Sequence, residues 1–339
     1  MVSPFEQNRQ PHIRKENSLE ALLTRVPEAI SFAKIEMEAA KEAQTPEGKY
    51  ALTYLLATRK LLRPLMTDLH AIHPDLLRPT GGSEYNPERK IDEIGTAVAF
   101  ILGRQTADIP NFFLRTEESP RWERLSNDSA PIEDSDRFAI IDPLDESSGI
   151  PLGNRVQSTG VAIYNKRGEL LTIGIMSLVD DDMMLVERTD DRLRIVSSKP
   201  DAPKPDGEPT SIRVATLTRR MHALKHLPLF TTNQATWTLP SIGGYAVMAM
   251  ANGDIDTIID PVKGNPWIEY CLWGPAAESL GFVVTDPEGR PIDRAAIMRK
   301  AIEKNLSNAS SRVRFVISRT PEIHKRVLEL LKSSGPQAK

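Results

Sequence analysis

The chain has 339 residues, of which 40% are hydrophobic and 26% are charged. Its 43 Lys and Arg residues nearly balance its 46 Asp and Glu residues, which gives a net charge of −3. This balance argues against a nucleic-acid partner, because such proteins carry a basic surplus that neutralises phosphates. The hydrophobic content is that of a globular protein and argues against gross disorder.

A single cysteine, Cys271, is present. It excludes an internal disulfide framework and a cysteine zinc site, and it favours a reducing compartment. No apolar stretch approaches the roughly 18–20 residues that span a bilayer. Residues 1–17 are polar and lack the apolar core of a signal peptide. The sequence therefore predicts a cytoplasmic protein with no membrane contact.

The first hundred residues are predicted to be mainly helical after a flexible N-terminus at 1–17. Apolar residues recur at helical spacing over 18–43, and segments rich in Leu and Ala predict helices over 48–70 and 90–102. Residues 78–89 are rich in turn formers and predict a loop.

Short apolar runs bounded by polar loops then predict an antiparallel sheet. The runs lie at 112–114, 138–141, 160–165, 170–178, 183–188 and 193–196. Residues 165–168 predict a hairpin loop, and 180–182 (Asp-Asp-Asp) predict a hairpin tip. Residues 199–209 contain four prolines and predict a linker.

The last third alternates between strand and helix character, which predicts an α/β layer. The predicted strands are 213–215, 257–259, 282–285 and 313–318, and the predicted helices are 243–251, 267–280 and 320–331. We therefore expect an α+β domain over 18–200 and an α/β domain over 201–339.

The string IIDPLDESSG at 140–149 is the most informative part of the chain. Asp142 and Asp145 are three positions apart, so on a regular strand their carboxylates would point to opposite faces. They converge only if the chain turns between them, and Asp142 followed by Pro143 suits a type I turn. Two convergent carboxylates suit a hard divalent cation such as Mg²⁺. The alternative interpretation is a capped turn without a metal.

Ser147 and Ser148 follow the second aspartate. They offer hydroxyl groups at an expected helix start, where free backbone N–H groups attract phosphate. The string therefore combines cation ligands with a phosphate-binding segment.

The string resembles the DP(L/I)DG(S/T) signature of the inositol monophosphatase and fructose-1,6-bisphosphatase superfamily of metal-dependent sugar-phosphate phosphatases. Residues 116–119 (Thr-Glu-Glu-Ser) resemble the family's Glu-Glu motif, and Asp92 with Glu93 matches an acidic residue near a third metal. Later segments resemble the family's small-residue helix, its closing helix and strand, and its last helix, at 241–256, 266–286 and 318–331. The similarity covers about residues 85–335.

The resemblance implies a layered αβαβα sandwich of the sugar phosphatase type and a cofactor of Mg²⁺, with Mn²⁺ as a substitute. The implied metal ligands are Glu117, Glu118, Asp142, the Leu144 carbonyl and Asp145. Two such ions polarise phosphoryl oxygens and generate a hydroxide-like nucleophile. The implied catalytic residues are Glu117, which helps to activate the attacking water, Ser147, which orients it, and Asp92.

Two positions depart from the family's pattern. Glu146 replaces a glycine, and a carboxylate 5 Å from a phosphate would cost about 3 kcal/mol at an effective dielectric near 20; we expect Glu146 to face the cations. Ile268 replaces the metal-binding aspartate that follows Pro-Trp. Glu269 follows Lys263 by six residues, as in the bisphosphatase branch, and is predicted as a second-metal ligand. The alternative is a solvated helix residue.

The predicted substrate-binding residues are Ser148, Lys263, Asp260 and Gly243. Asp260, on an expected loop, would accept hydrogen bonds from sugar hydroxyls, and Gly243 would bring the backbone near the ligand. A loop-capping Asp260 and a helix-packing Gly243 are the alternatives.

The leading hypothesis is a Mg²⁺-dependent phosphoric monoester hydrolase acting on a small sugar, inositol or nucleotide phosphate. A catalytically degenerate binding or regulatory protein is the alternative, because Glu146 and Ile268 both fall in one site. The expected partners are a small phosphorylated substrate and, by resemblance, a second or further copies in a homodimer or homotetramer.

Overall fold

A computed structural model gives the fold. It describes residues 17–83, 86–106, 108–109, 111–117, 119, 121–125, 136–145, 147–152, 155–189, 192–198, 211–216, 235–239, 243–306 and 311–332. Among these residues, no helix combines the length and apolar composition needed to cross a membrane. Residues 1–16 and the predicted linker at 199–209 lie outside the described residues, so the domain boundaries stay a prediction.

Helices dominate the first third of the described chain. Their bounds are Leu19–Thr24 (α1), Val26–Ala40 (α2), Pro46–Thr67 (α3) and Asp92–Gln105 (α4). The single helix predicted over 18–43 is wrong, because Arg25 ends α1 and begins α2. Pro27, in the first turn of α2, has no N–H to donate, so a continuous hydrogen-bond ladder cannot pass through it.

A small antiparallel ribbon precedes α4. Its strands are Pro79–Ser83 (β1) and Asn86–Arg89 (β2), which pair from Pro79 opposite Arg89 to Ser83 opposite Asn86. The loop predicted over 78–89 is therefore wrong. The composition is that of turns, but pairing between the two segments overrides local preference.

The larger sheet has seven strands within the described residues. Their bounds are Phe112–Thr116 (β3), Glu123–Arg124 (β4), Arg137–Asp145 (β5), Ser158–Asn165 (β6), Leu170–Ser177 (β7), Met183–Thr189 (β8) and Arg192–Ser197 (β9). The spatial order is β4-β3-β5-β6-β7-β8-β9. Strands β3 and β5 are parallel and the other neighbours are antiparallel. The carboxyl ends of β3 and β5 consequently meet at one edge.

A five-stranded sheet and four further helices follow in the described chain. The strands are Ile212–Ala215 (β10), Ala235–Leu239 (β11), Thr257–Pro266 (β12), Val283–Thr285 (β13) and Arg312–Ser318 (β14), in the order β11-β10-β12-β14-β13. The helices are Gly244–Ala251 (α5), Trp267–Ser279 (α6), Arg294–Lys304 (α7) and Pro321–Lys332 (α8).

Three apolar clusters stack these elements into layers. One face of the larger sheet packs against α2, α3 and α4, in a cluster that includes Ile94 and Ile141. The opposite face packs against α5 and α6, in a cluster that includes Ile140 and Trp273 and reaches the smaller sheet. The third cluster joins the smaller sheet to α8 through Ile323. This order of helix, sheet, helix, sheet and helix confirms the predicted layered αβαβα sandwich.

Candidate active site

The parallel pair β3 and β5 brings Glu117 and Asp142 to the same edge of the larger sheet. Thr116 lies opposite Ile141, and the next residue of each strand is one of the two acids. The backbone N–H of Glu117 donates to the Ile141 carbonyl at 2.9 Å, which continues the pairing beyond the end of β3. Asp142 is buried, whereas Glu117 is half-buried. The two predicted ligands therefore lie side by side on neighbouring strands.

A β-bulge in β5 puts Asp142 and Asp145 on the same face of the sheet. Asp142 lies opposite Gly160 and Asp145 lies opposite Ser158, with a register shift between them. Gly160 and Ser158 are two residues apart on β6 and share a face, and residues directly opposite each other also share one. The extra residue of the bulge shifts the alternation of side chains, so Asp142 and Asp145 share a face although they are three positions apart. The type I turn predicted at Asp142 and Pro143 is wrong, since β5 continues through both residues.

The start of α5 fixes Asp145. Its Oδ2 accepts hydrogen bonds from Ser158 Oγ at 2.9 Å and from the Gly244 N–H at 2.8 Å. A carboxylate at the N-terminus of a helix is stabilised by the helix dipole. A Cβ atom at Gly243 would come 1.8 Å from Asp145 Oδ2, so any larger residue would displace the carboxylate. Gly243, predicted to bind substrate, thus leaves the space that the predicted metal ligand Asp145 occupies.

The start of α4 approaches the same bulge from the other face of the sheet. Asp92 is 3% exposed, and its Oδ2 accepts from the Arg89 N–H at 2.8 Å and from Ser147 Oγ at 3.4 Å. A Cβ at Gly95 would lie 2.9 Å from Pro143 Cβ, so α4 packs directly on the bulge. Asp92 and Ser147, both predicted as catalytic, are therefore in contact.

Leu144 connects the α4 side of the bulge to Asp142. Its side chain is buried in the cluster that contains α4, and its backbone N–H donates to Asp142 Oδ1 at 3.2 Å. Pro143 and Leu144 thus occupy the α4 side of the bulge while the flanking aspartates face α5 and α6. Glu118, Glu146 and the side chain of Ser148 lie outside the described residues.

The predicted residues of the α/β part lie around the junction of β12 and α6. Asp260 belongs to β12 rather than to the predicted loop, is buried, and accepts at Oδ1 from the Gly264 N–H at 3.1 Å. The contact of Asp260 with sugar hydroxyls stays a prediction. Lys263 is exposed.

Glu269 lies in the first turn of α6 and is half-buried. Trp273 is four residues later on the same face of this helix, and a Cβ at Gly160, opposite Asp142, would meet its ring at 2.4 Å. The α6 face that carries Glu269 therefore covers the sheet face that carries Asp142. Ile268 points into the core and is 0% exposed.

Arg115 is a buried cation that sequence analysis missed. It lies opposite Ile140 and so shares a sheet face with Asp142, two residues further along β5. Its guanidinium lies 5.1 Å from the ring centre of Trp267 and donates to Asn305 Oδ1 at 3.2 Å. Burial lowers the pKa of Arg115 to about 10, which leaves it charged at neutral pH. An arginine inside the apolar run FFLRT was the available signal.

The side chains suit a hard divalent cation in donor chemistry, because Glu117, Asp142 and Asp145 supply carboxylate oxygens at one edge of the larger sheet. Asp145 Oδ2 already accepts two hydrogen bonds and Asp142 Oδ1 accepts one. In the part of the chain that the structure describes, no three Asp, Glu, His or Cys side chains form a group that could hold a metal ion. The residues thus match a divalent cation in the type of their donor atoms and in their location at the sheet edge.

Comparison with known proteins supports the fold. No protein-family model matches the sequence, and no curated protein is significantly similar to it. An IMPase/NADP phosphatase structure complexed with NADP and Ca²⁺ aligns with a TM-score of 0.59 at 16% identity, over 86% of this chain and 98% of that one. The Thermotoga maritima IMPase aligns with a TM-score of 0.57 at 15% identity, over 82% and 96%.

A further IMPase/NADP phosphatase structure, complexed with Mg²⁺ and phosphate, aligns with a TM-score of 0.53 at 16% identity, over 81% of this chain and 94% of that one. The likeness extends over nearly the whole of each solved chain. At these identities it establishes a shared architecture. The chain therefore has the fold of the inositol monophosphatase structures.

Proposed function

We propose that the protein is a Mg²⁺-dependent phosphatase that hydrolyses a small sugar, inositol or nucleotide phosphate monoester. The observation that carries this proposal is the β5 bulge, which turns Asp142 and Asp145 to one sheet face beside Glu117. Structures with the same fold support it, since they include phosphatases complexed with Mg²⁺ and phosphate or with NADP and Ca²⁺.

Under this proposal, Glu117, Asp142 and Asp145 hold the metal, and Glu269 extends the ligand set from α6. A divalent ion held there would polarise the phosphoryl oxygens and lower the pKa of an attacking water. Ser147 Oγ orients this water, and Asp92, which accepts the Ser147 hydroxyl, fixes the orientation. Asp92 and Asp142 are buried, so charge stabilisation at this part of the site is stronger than in water.

Purified protein assayed against a panel of phosphate monoesters, with and without Mg²⁺ or Mn²⁺, tests the proposal. We expect metal-dependent phosphate release that Asp142→Asn lowers by at least about a hundredfold in kcat/KM, because the variant loses a metal-binding charge. Asp254→Asn, at an exposed aspartate, is the matched control and keeps full activity. Equal activity in Asp142→Asn and the wild type would point to a contaminating phosphatase and contradict the proposal.

A second candidate is a binding or regulatory protein that has lost catalysis. The observation in its favour is Ile268, an apolar side chain fully buried where the resemblance has a metal ligand. This candidate requires an ester that binds with a measurable Kd and is not hydrolysed. Calorimetric titration of the same panel, in parallel with the phosphate-release assay, separates the two functions.

A further inference from the structure

A charged groove lies between α2 and α3, on the helical layer. Its volume is about 540 Å³, which is within the range of small-molecule sites. The groove-lining residues that matter here are Phe32, Glu36, Arg59, Lys60, Arg63 and Asp181. Nothing in the proposed phosphatase mechanism uses this groove.

Cations outnumber anions in the groove. Arg59, Lys60 and Arg63 come from adjacent turns of α3, against Glu36 and Asp181 as the acids. Residues three and four apart on a helix are neighbours, so the three cations share one face. The exposed ring of Phe32 lies 3.5 Å from Lys60 Nζ and holds this ammonium over the groove.

Asp181 places a carboxylate oxygen between two of the groove's arginines. Its Oδ1 accepts hydrogen bonds from Arg59 Nη2 and, at 2.6 Å, from Arg63 Nη1. Guanidinium groups bind phosphate oxygens through charge-assisted N–H···O hydrogen bonds of the same kind. Arg59 Nε is also buried and has no hydrogen-bond acceptor among the described residues. The arginines thus have donor capacity that Asp181 does not use.

We propose that this groove binds a small phosphate-bearing molecule whose oxygens replace Asp181 as the acceptor of Arg59 and Arg63. The Asp181 side chain is 81% exposed, so its ion pairs are of the kind that contribute little and exchange readily. A phosphate brings up to two negative charges and more than one acceptor oxygen to the same donors. Lys60, held over Phe32, supplies a third positive charge.

The groove is linked to the candidate active site through the turn that carries Asp181. The adjacent Asp180 accepts from Tyr245 Oη at 3.1 Å, and Asp182 accepts from Asn252 Nδ2 at 2.7 Å. Tyr245 and Asn252 lie at the two ends of α5, whose first N–H group binds Asp145. Displacement of Asp181 would therefore loosen the support of α5. A resulting change in turnover rests on the function proposed above.

Titration calorimetry with pyrophosphate, on the full chain in EDTA, tests binding. Without divalent metal, the acidic candidate active site repels this probe. We expect Arg63→Gln to weaken pyrophosphate binding at least about tenfold, and Asp181→Asn to strengthen it about threefold or more by removing a competing anion. Arg290→Gln, at an exposed arginine paired elsewhere, is the matched control and leaves the Kd unchanged.

Equal pyrophosphate affinity in all four proteins, or no binding heat in any, would overturn the proposed site. Weaker pyrophosphate binding in Asp181→Asn would overturn the inference that Asp181 competes with the ligand for the two arginines. Since no measurement here uses turnover, failure of the phosphatase assay and failure of this proposal are distinguishable.

Hydrogen exchange tests the link to α5. We expect pyrophosphate to speed amide exchange at 178–182 and 244–248, and to need at least about tenfold more pyrophosphate for this in Arg63→Gln than in the wild type, because the turn loses its anchor only when the groove is filled. Unchanged exchange at saturating pyrophosphate would overturn the link and leave the binding site as measured by calorimetry.

Discussion

Asp145 owes its position to the absence of a side chain at Gly243. The carboxylate sits where a Cβ of residue 243 would lie, and it joins β5, β6 and α5 through Ser158 and Gly244. An aspartate that serves as a metal ligand must be held within a fraction of an ångström, since a displacement of about 1 Å can cost a hundredfold in rate. The geometry of the candidate site therefore depends on Gly243, a residue without a side chain.

We predict that Gly243→Ala lowers kcat/KM for the preferred phosphate ester by at least about a hundredfold, because the new methyl group displaces Asp145. Circular dichroism is expected to stay that of the wild type. Gly281→Ala is the control: its Cβ meets nothing within 4 Å, but its φ is +81°, so it costs about 1–2 kcal/mol of stability and leaves kcat/KM unchanged. Full activity in Gly243→Ala would show that Asp145 is not needed.

Asp256 is the centre of a buried ion pair. It is 0% exposed, and its oxygens accept from the backbone N–H of Arg213 at 2.8 Å and from Nε and Nη2 of that residue at 2.9 and 2.7 Å. Arg319 Nη1 lies 3.8 Å away. Removing one partner of such a pair leaves uncompensated buried charge.

We predict that Asp256→Asn lowers the free energy of unfolding by about 3–5 kcal/mol. Glu288→Gln, which breaks an exposed pair with Arg314 in which both side chains are 45% exposed, is expected to cost only about 0–1 kcal/mol. Urea denaturation of the two variants measures both values. Equal losses would mean that burial does not decide the energy of these pairs.

At the scale of elements, periodicity predicted most helices and strands because one apolar face recurs along each of them. It missed the β1–β2 ribbon, whose residues have turn-like composition, and α7, where only Met298, Ala301 and Ile302 are buried. The β5 bulge could not be predicted either, since a register shift depends on the partner strand. The sequence therefore led us to expect that the two aspartates converge, but not that a β-bulge puts them on one sheet face.

The last helix is joined to the smaller sheet by a buried histidine, His324. Its Nε2 contacts Thr285 Oγ1 of β13 at 2.9 Å, and its Nδ1 contacts Ser318 Oγ of β14 at 3.1 Å. Burial lowers the pKa of His324 below the ordinary 6.5. The unfolded chain consequently binds a proton at a higher pH than the folded chain does.

We predict that the free energy of unfolding decreases as the pH falls below about 6.5, until the lowered pKa of folded His324 is reached. His324→Gln removes this contribution, so its stability is expected to fall less between pH 7.5 and 5.5, although it starts lower because two buried contacts are lost. Urea denaturation at both pH values measures the two slopes. Parallel slopes would assign the pH dependence to other groups.

At the scale of the molecule, the candidate site lies where the α4 layer, the larger sheet and the α5–α6 layer meet. Asp92 lies in α4, Glu117 follows β3, and Asp142 and Asp145 lie in β5. The resemblance implied their order along the chain but not their contacts. Contacts such as Ser147 with Asp92, or Gly244 with Asp145, arise only when the layers stack. The sequence therefore could not predict that Gly243 leaves space for Asp145, nor where Arg115 lies. Both follow only from the folded structure.

Layer stacking also predicts that metal binding stabilises the whole fold. The proposed ligands, at the end of β3, in β5 and in α6, come together only in the folded chain, so an ion bound there stabilises it by RT ln(1 + [L]/Kd), about 2.7 kcal/mol at a hundred times the Kd. We expect Mg²⁺ to raise the Tm of the wild type and of Asp254→Asn by several degrees, and to leave that of Asp142→Asn nearly unchanged. Scanning calorimetry at constant ionic strength measures this. An equal rise in Asp142→Asn would place the ion elsewhere, whereas a rise without phosphatase activity would favour the binding-protein alternative.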